Sequence, residues 1–205
     1  MNELQPGDID IVAALGKDVI NSLFIISNIQ FEGDSVIGST GANSPNLFKA
    51  REQYRGVSFA IGAAESWRTV TTIPNILRVF NHQLVGGSVN VGGEFDEGSN
   101  LNLASPGATS VSLIEQAKRL IKLLSSPSDR YRWKLVTILI GHNDVCTHPC
   151  NTTYTAFDAS PRPYMARVAK ALDMLRDNLP NTFVNFVPVL DITFTFVSNR
   201  NYGIA

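Results

Sequence analysis

Three short motifs carry side chains that could together cleave an ester bond. Gly33-Asp34-Ser35 offers a serine hydroxyl, and "GHND" at residues 141–144 places Asn143 after a predicted strand. Between them, "NLASPGATS" places Gly107 just before a predicted helix. Ester hydrolysis needs a nucleophile and hydrogen-bond donors aimed at the oxygen that becomes negative in the tetrahedral intermediate. Taken singly, each residue is an ordinary loop residue, but their order along the chain favours a site.

These residue types suit distinct roles in such a site. Ser35 is the predicted nucleophile, and its own backbone N–H would be one donor of the oxyanion hole. The backbone N–H of Gly107 and the side-chain amide of Asn143 would be the others. Gly107 lacks a Cβ, so substrate can approach its backbone closely. Asp34 and Asp144 are predicted to hold their loops through hydrogen bonds to backbone N–H groups rather than to act as acid or base.

An alternation of strand and helix patterns predicts the elements that position these motifs. The predicted strands cover residues 9–15 and 133–141 and the start of residues 182–196. The predicted helices cover residues 110–124, with a capping box of Ser112 and Glu115, and residues 163–180. The predicted apolar face of the first helix consists of Val111, Ile114, Ala117, Ile121 and Leu124. That of the second consists of Met165, Val168, Ala169, Leu172 and Leu175. Residues 86–102 are predicted to form a loop around a short strand. This alternation favours a parallel sheet with helices on both faces and a site at the carboxyl ends of the strands.

Composition limits the classes of function. The chain has 205 residues, of which 44% are hydrophobic and 17% charged, which indicates one folded domain. The net charge of −1, without a long basic run, gives no reason to expect nucleic acid as a partner. No apolar run has the length of a membrane span, and no signal peptide is visible.

Cysteine usage points to an oxidising compartment. Cys146 and Cys150 are separated by a short segment that contains Pro149, so a local disulfide is sterically reasonable. Asn151 begins an Asn-Thr-Thr glycosylation acceptor. Together they favour a secreted protein or one on the extracellular face of a membrane. With only His148 between the cysteines, the ligands are too few for structural zinc, and we expect no metal and no cofactor.

The order of the motifs resembles that of the GDSL, or SGNH, hydrolases, and more closely their phospholipase B group. Segments similar to that group occur in the right order over nearly the whole chain apart from residues 17–32. They are "LQPGDIDIVAALG", "QYRGVSFAIG", "TTIPNILRVFN", "NLASPGA", "WKLVTILIGHNDVC" and "VNFVPVLD". The resemblance implies a three-layer α/β/α, flavodoxin-like SGNH fold with a central parallel sheet, here incomplete at the C-terminus. It implies a lipolytic serine esterase acting on phospholipid or lysophospholipid, with peripheral membrane contact.

The chain departs from the family in its catalytic base. The family's serine is activated by the histidine of an Asp-x-x-His motif near the C-terminus, and no Asp-x-x-His occurs in these 205 residues. We therefore expect little turnover from this chain alone, since a serine without a base is a poor nucleophile. The alternatives are a non-catalytic relative that binds lipid or a partner, and a carbohydrate acetyl esterase on the same fold. His142, His82 and His148 are interpreted as surface loop residues. "IGAAES" at residues 61–66 also differs from the more glycine-rich, acidic turn of the phospholipase B group.

Residues 17–33 interrupt the family pattern. If these 17 residues are removed, the predicted strand at residues 9–15 runs through Gly16 directly into Asp34-Ser35. Nine of the 17 are Ile, Asn, Phe or Lys, whose codons can be rich in A and T. Gly16 and Lys17 can also be encoded with the bases GTAAG, which commonly begin an intron. We interpret the segment as a translated intron. The alternative is a genuine lid whose apolar residues 23–26 contact lipid.

Overall fold

Three parallel strands form the sheet that organises the chain. The computed structural model describes residues 25–30, 38–147 and 160–188. In these, β1 (Ile25–Gln30), β2 (Lys134–Leu139) and β3 (Thr182–Val187) lie side by side in that order. The register pairs Gln30 with Leu139 and Leu139 with Val187, so all three strands end at the same edge. This confirms the predicted α/β class and places the segments after β1 and β2 at one edge.

The central strand β2 is covered on both faces. Val136 and Ile138 are fully buried and belong to a core cluster with helices α2 (Ser110–Leu123) and α5 (Pro161–Asn178). Leu135 and Leu139 belong to a second cluster on the opposite face. Successive side chains of a strand point to opposite faces, and the continuous apolar run of β2 therefore serves both clusters.

The two long helices confirm the predicted elements but shift their buried faces. α2 and α5 contact each other, and α2 buries Leu113, Ala117 and Leu120, with Leu124 buried directly after the helix. The buried residues of α5 are Val168, Ala171 and Leu175. The prediction was wrong for Val111 and Met165, which are 53% and 65% exposed, and for Ala169. The reason is that several phases of a 3.6-residue repeat fit these short apolar sets, and packing selects one.

The second face of the sheet is covered mainly by irregular chain. The short helix α1 (Ile73–Leu77) lies there, with Ile61 and Leu84 in the same cluster. Residues 86–102 form no regular strand; Ser88 makes an isolated parallel bridge to Gly62. The remaining helical elements are 3₁₀ turns at Leu47–Lys49 and Arg55–Val57, and the helices α3 (Pro127–Arg130) and α4 (His142–Thr147).

Strand β1 lies within the predicted insertion. We expected its place in the sheet to be taken by residues 9–15, which lie outside the described residues. Instead, Ile25 and Ile26 pair through their backbones with Lys134 and Leu135. This differs from the lid alternative, which left residues 23–26 for lipid contact. The physical reason is proximity, because only two residues, Phe31 and Glu32, separate Gln30 from the Gly-Asp-Ser motif. The origin of residues 17–33 stays a prediction.

Candidate active site

Two of the predicted oxyanion-hole residues are brought together beyond the end of β2. The side-chain amide of Asn143 donates a hydrogen bond to the backbone carbonyl of Ala108 at 3.0 Å. Asn143 is the second residue of α4, and Gly107 directly precedes Ala108. An amide nitrogen carries two hydrogens, so the bond to Ala108 fixes its orientation and leaves the second hydrogen for another acceptor.

The backbone at Gly107 is one that favours glycine. Its φ of +86° lies in the left-handed region, and its residue is exposed. A side chain there would strain the backbone. The conformation of this turn therefore accounts for the glycine.

Asp144 joins the Gly107 loop to the turn after β2. Its carboxylate accepts a hydrogen bond from the backbone N–H of Ser110 at 2.8 Å and another from the Ser110 hydroxyl. Asp144 is only 2% exposed, and Arg167 donates to the same Ser110 hydroxyl at 3.1 Å. The predicted loop-holding role of Asp144 is confirmed. The adjacent residues Asn143 and Asp144 thus join the turn after β2 to the loop that contains Gly107.

The same contact caps helix α2 from a distance. The N-cap residue, Thr109, makes no side-chain capping bond, and the helix begins at Ser110. The predicted capping box at Ser112 and Glu115 is therefore wrong. A carboxylate supplied by Asp144 satisfies one of the free N–H groups at the helix start, where its negative charge also suits the helix dipole. Sequence patterns of local caps could not reveal it, because its two residues lie 34 positions apart.

Tyr164 of α5 holds the end of β2. Its hydroxyl donates to the backbone carbonyl of Ile140 at 2.9 Å. Burial, with a smaller contribution from the charge of Asp144, raises the pKa of Tyr164 to about 12. The hydroxyl consequently stays protonated as a donor across the physiological range, and it fixes the strand end from which the "GHND" turn departs.

A buried arginine fixes the loop that leads to Gly107. Arg55 is fully buried and donates from Nε to Gly92 at 2.8 Å and from Nη1 to the carbonyl of Asn102 at 3.1 Å. It also donates to the backbone carbonyl of Ala104. The carboxylate of Glu94 lies 3.7 Å away, and burial lowers the pKa of Arg55 to about 10. The sequence did not predict this role, because nothing around Arg55 in "QYRGVSFAIG" indicates which distant carbonyl groups it binds.

Asn102 contributes to the same support. It is fully buried, and its side-chain oxygen accepts from the backbone N–H of Ala104 at 3.1 Å. Its amide nitrogen donates to Ser88 at 3.4 Å. The first residue of "NLASPGATS" therefore shapes the loop, while Gly107 at its far end faces solvent.

Several residues with predicted roles lie outside the part of the chain that the structure describes. Ser35, Cys150, Asn151 and His148 lie outside the described residues. Cys146 is part of α4, but its side chain is not among those described. The disulfide and the nucleophile stay predictions.

The two histidines within the described residues, His82 and His142, differ in their exposure to solvent. His82 is exposed, as predicted. His142 is not a surface loop residue: it begins α4 and is 5% exposed. The reason is that the turn after β2 folds inward against α2 instead of projecting into solvent.

The chain belongs to the GDSL-like lipase/acylhydrolase family, whose sequence model matches residues 32–201. The match begins directly before Gly33-Asp34-Ser35 and includes the Gly107 and Asn143 motifs. It confirms the resemblance drawn from those motifs.

Three curated relatives match over most of the chain, each called "Phospholipase B1, membrane-associated". The chain is 36% identical to the protein of Mus musculus over 198 residues, 35% to that of Rattus norvegicus over 198 and 36% to that of Homo sapiens over 197. Each match covers 94% of this chain and 12% of the relative. The chain thus spans about an eighth of the length of these relatives. No solved structure matches it.

The described residues contain neither a membrane-spanning helix nor a metal-binding cluster. None of their helices has the length and apolar character needed to cross a membrane. No group of three or more histidine, cysteine or acidic side chains with a geometry fit for a metal ion occurs among them.

Proposed function

We propose that the chain is a lipolytic serine esterase domain of the phospholipase B type, which cleaves acyl esters of phospholipid or lysophospholipid. Ser35 is the nucleophile. Its backbone N–H, the backbone N–H of Gly107 and the amide of Asn143 bind the oxyanion. The bond between Asn143 and Ala108 carries this proposal, because it joins the side chain of one proposed donor to the residue that follows the other, Gly107.

Strand register supports the place of Ser35 in the proposal. β1 and β2 are parallel and end level with each other at Gln30 and Leu139. Ser35 follows the end of β1 by five residues, and Asn143 follows the end of β2 by four. In open α/β sheets, ligands bind beyond the carboxyl ends of the strands, and β1 and β2 both end at that edge.

Asn143 has the chemistry that the proposed reaction needs. Charge develops on the carbonyl oxygen as the hydroxyl of Ser35 attacks, and a neutral amide donor stabilises it without changing protonation state. Removal of one such donor costs about 2.7–4 kcal/mol of transition-state stabilisation, or about 100–1000-fold in kcat.

The decisive experiment compares hydrolysis by two proteins. The 205-residue chain should turn over neither lysophospholipid nor p-nitrophenyl butyrate measurably, since it contains no Asp-x-x-His. A protein expressed from the complete messenger RNA, if that reading frame supplies an Asp-x-x-His, should cleave both. Ser35→Ala should then abolish the cleavage, whereas the control Ser66→Ala, at an exposed position, should not. Full activity in Ser35→Ala would refute the assigned nucleophile.

The absent Asp-x-x-His favours one second candidate, a non-catalytic relative that binds lipid. It predicts a complete reading frame without that motif and no hydrolysis, with lipid binding retained. For either candidate we propose a secreted location or one at the extracellular face of a membrane, with peripheral contact to the bilayer. The support is the name of the matched relatives, which are called "membrane-associated", together with the sequence of the Cys146–Asn151 segment.

A further inference from the structure

The most exposed large apolar side chains among the described residues sit together at the end of one loop. Leu47 and Phe48 are 91% and 97% exposed, and they lie in the 3₁₀ turn Leu47–Lys49. This turn is part of the loop of residues 41–52, which we term the tip loop. A folded chain rarely leaves adjacent large apolar side chains in water without a use for them. The tip loop is therefore a candidate contact surface.

The tip loop is a built structure. An antiparallel bridge between Thr40 and Gln53 closes its base, and the N–H of Gly41 donates to the carbonyl of Glu52 at 2.8 Å. At its end, the side chain of Asn46 accepts from the N–H of Lys49 at 3.2 Å and caps the 3₁₀ turn. These bonds hold Leu47 and Phe48 outward, so that little ordering is needed when they bind something.

The surroundings extend the apolar character towards the base of the loop. The N–H of Gly92 donates to the carbonyl of Gln53 at 2.9 Å, which brings a second segment alongside. That segment carries Val91, which is 57% exposed, and Val89, which is 53% exposed.

Basic side chains accompany the apolar tip. Lys49 follows Phe48 directly, and Arg51 is exposed two residues further on. Glu52 lies 3.5 Å from Lys49, so the two cations outnumber the one carboxylate of the tip loop. A pair of apolar side chains beside a net positive charge is complementary to a bilayer, where acyl chains lie beneath phosphate groups.

The size and shape of the tip argue against a protein partner. A leucine and a phenylalanine together bury about 300–400 Å², whereas a stable protein interface needs about 800 Å² from each partner. Two exposed apolar side chains on a capped 3₁₀ turn also suit insertion into a fluid interface better than docking onto a protein surface.

We propose that Leu47 and Phe48 insert into the outer surface of a phospholipid bilayer, with Lys49 and Arg51 at the level of the phosphates. The inference rests on the proposed function, because a domain that cleaves phospholipid must reach a substrate packed in a bilayer. The tip loop begins six residues after Ser35, which keeps the membrane contact close to the proposed nucleophile along the chain.

Vesicle binding tests this without any catalysis. The purified chain is sedimented with phosphatidylcholine vesicles, with and without phosphatidylserine. Wild type should bind, more tightly when phosphatidylserine is present, and Leu47→Ser/Phe48→Ser should bind about 50-fold more weakly. The matched control, Tyr131→Ser/Met165→Ser, removes side chains that are 67% and 65% exposed elsewhere and should bind as wild type does. Circular dichroism checks that each variant is folded.

Several results would overturn the proposal. They are an absence of wild-type binding to either vesicle, equal binding by the tip variant, and an equal loss in the control. Self-association of wild type that the tip variant abolishes would assign the tip to a contact between copies instead. Failure of the proposed activity is a separate result: vesicle binding through the tip with no hydrolysis by the complete protein would refute the esterase and leave the membrane contact standing.

Discussion

Removal of the Asp144 carboxylate should weaken the fold at the candidate site. Asp144→Ala takes away both acceptors of Ser110, one of which serves a backbone N–H at the start of α2. A hydrogen bond to a charged group contributes about 1.5–3 kcal/mol, and a buried N–H left without an acceptor adds its desolvation penalty. Water that enters the vacated space offsets part of this loss. We expect the free energy of unfolding to fall by about 3 kcal/mol, and Tm by about 6–12 °C for a domain of this size.

Urea denaturation followed by tryptophan fluorescence measures this change. Asp173→Ala is the matched control, because its carboxylate is 58% exposed and pairs with Arg176 at 2.7 Å on the surface. Such a pair contributes about 0.5 kcal/mol, so the control should lie close to wild type. Ser110→Ala leaves the backbone N–H bond intact and should cost about 1 kcal/mol.

The loop-holding role of Asp144 is refuted if the free energy of unfolding of Asp144→Ala lies within about 0.5 kcal/mol of the wild-type value. It also fails if the effects of Asp144→Ala and Ser110→Ala simply add, since partners in direct contact should couple by about 0.5–3 kcal/mol in a double-mutant cycle.

Three further predictions concern other parts of the chain. Gly62→Ala should destabilise the fold by several kcal/mol in thermal unfolding, because a Cβ there would lie 2.4 Å from the nitrogen of Ser58. Gly93→Ala should not, because its Cβ would make only an ordinary contact with Asp96 at 3.7 Å. Tyr164→Phe should be about 1 kcal/mol less stable than wild type at pH 7, having lost one hydrogen bond. The pKa of tyrosine is near 10 in the unfolded chain and about 12 for folded Tyr164, so the wild type loses stability as the pH rises from 10 to 12. The difference in stability between wild type and Tyr164→Phe should therefore shrink over that range. A constant difference would contradict the raised pKa. Cys146 and Cys150 should be linked when non-reduced protein from an oxidising compartment is analysed by mass spectrometry, and free thiols would refute the disulfide.

Local patterns were enough to predict the main elements and where two candidate site residues lie relative to them. The apolar run of β2 and the glycine before α2 report their own surroundings, and both Gly107 and Asn143 lie where those patterns placed them. Their supports could not be predicted in this way. Arg55 reaches Asn102 across 47 positions and Asp144 reaches Ser110 across 34, and such pairs are defined only once the sheet has brought the loops together.

Residues 9–15 and residues 25–30 compete for a single place beside β2. The first segment contains an uninterrupted apolar run at residues 11–15, which suits a strand covered on both faces, whereas β1 carries Ser27 and Asn28 at its centre. In the chain as written, however, only β1 leads into Ser35 by a short connection. Residues 9–15 would need a loop of about 20 residues, which compact domains rarely contain.

Deletion of residues 17–33 removes that obstacle and joins Gly16 to Asp34. If the segment is a translated intron, the shortened chain should use residues 9–15 as its first strand and unfold at a higher temperature than the full chain, because a more apolar strand then covers β2. Messenger RNA should correspondingly include transcripts that lack these 17 codons. A shortened chain that fails to fold, together with transcripts that all retain the segment, would instead establish β1 as the native strand before the serine.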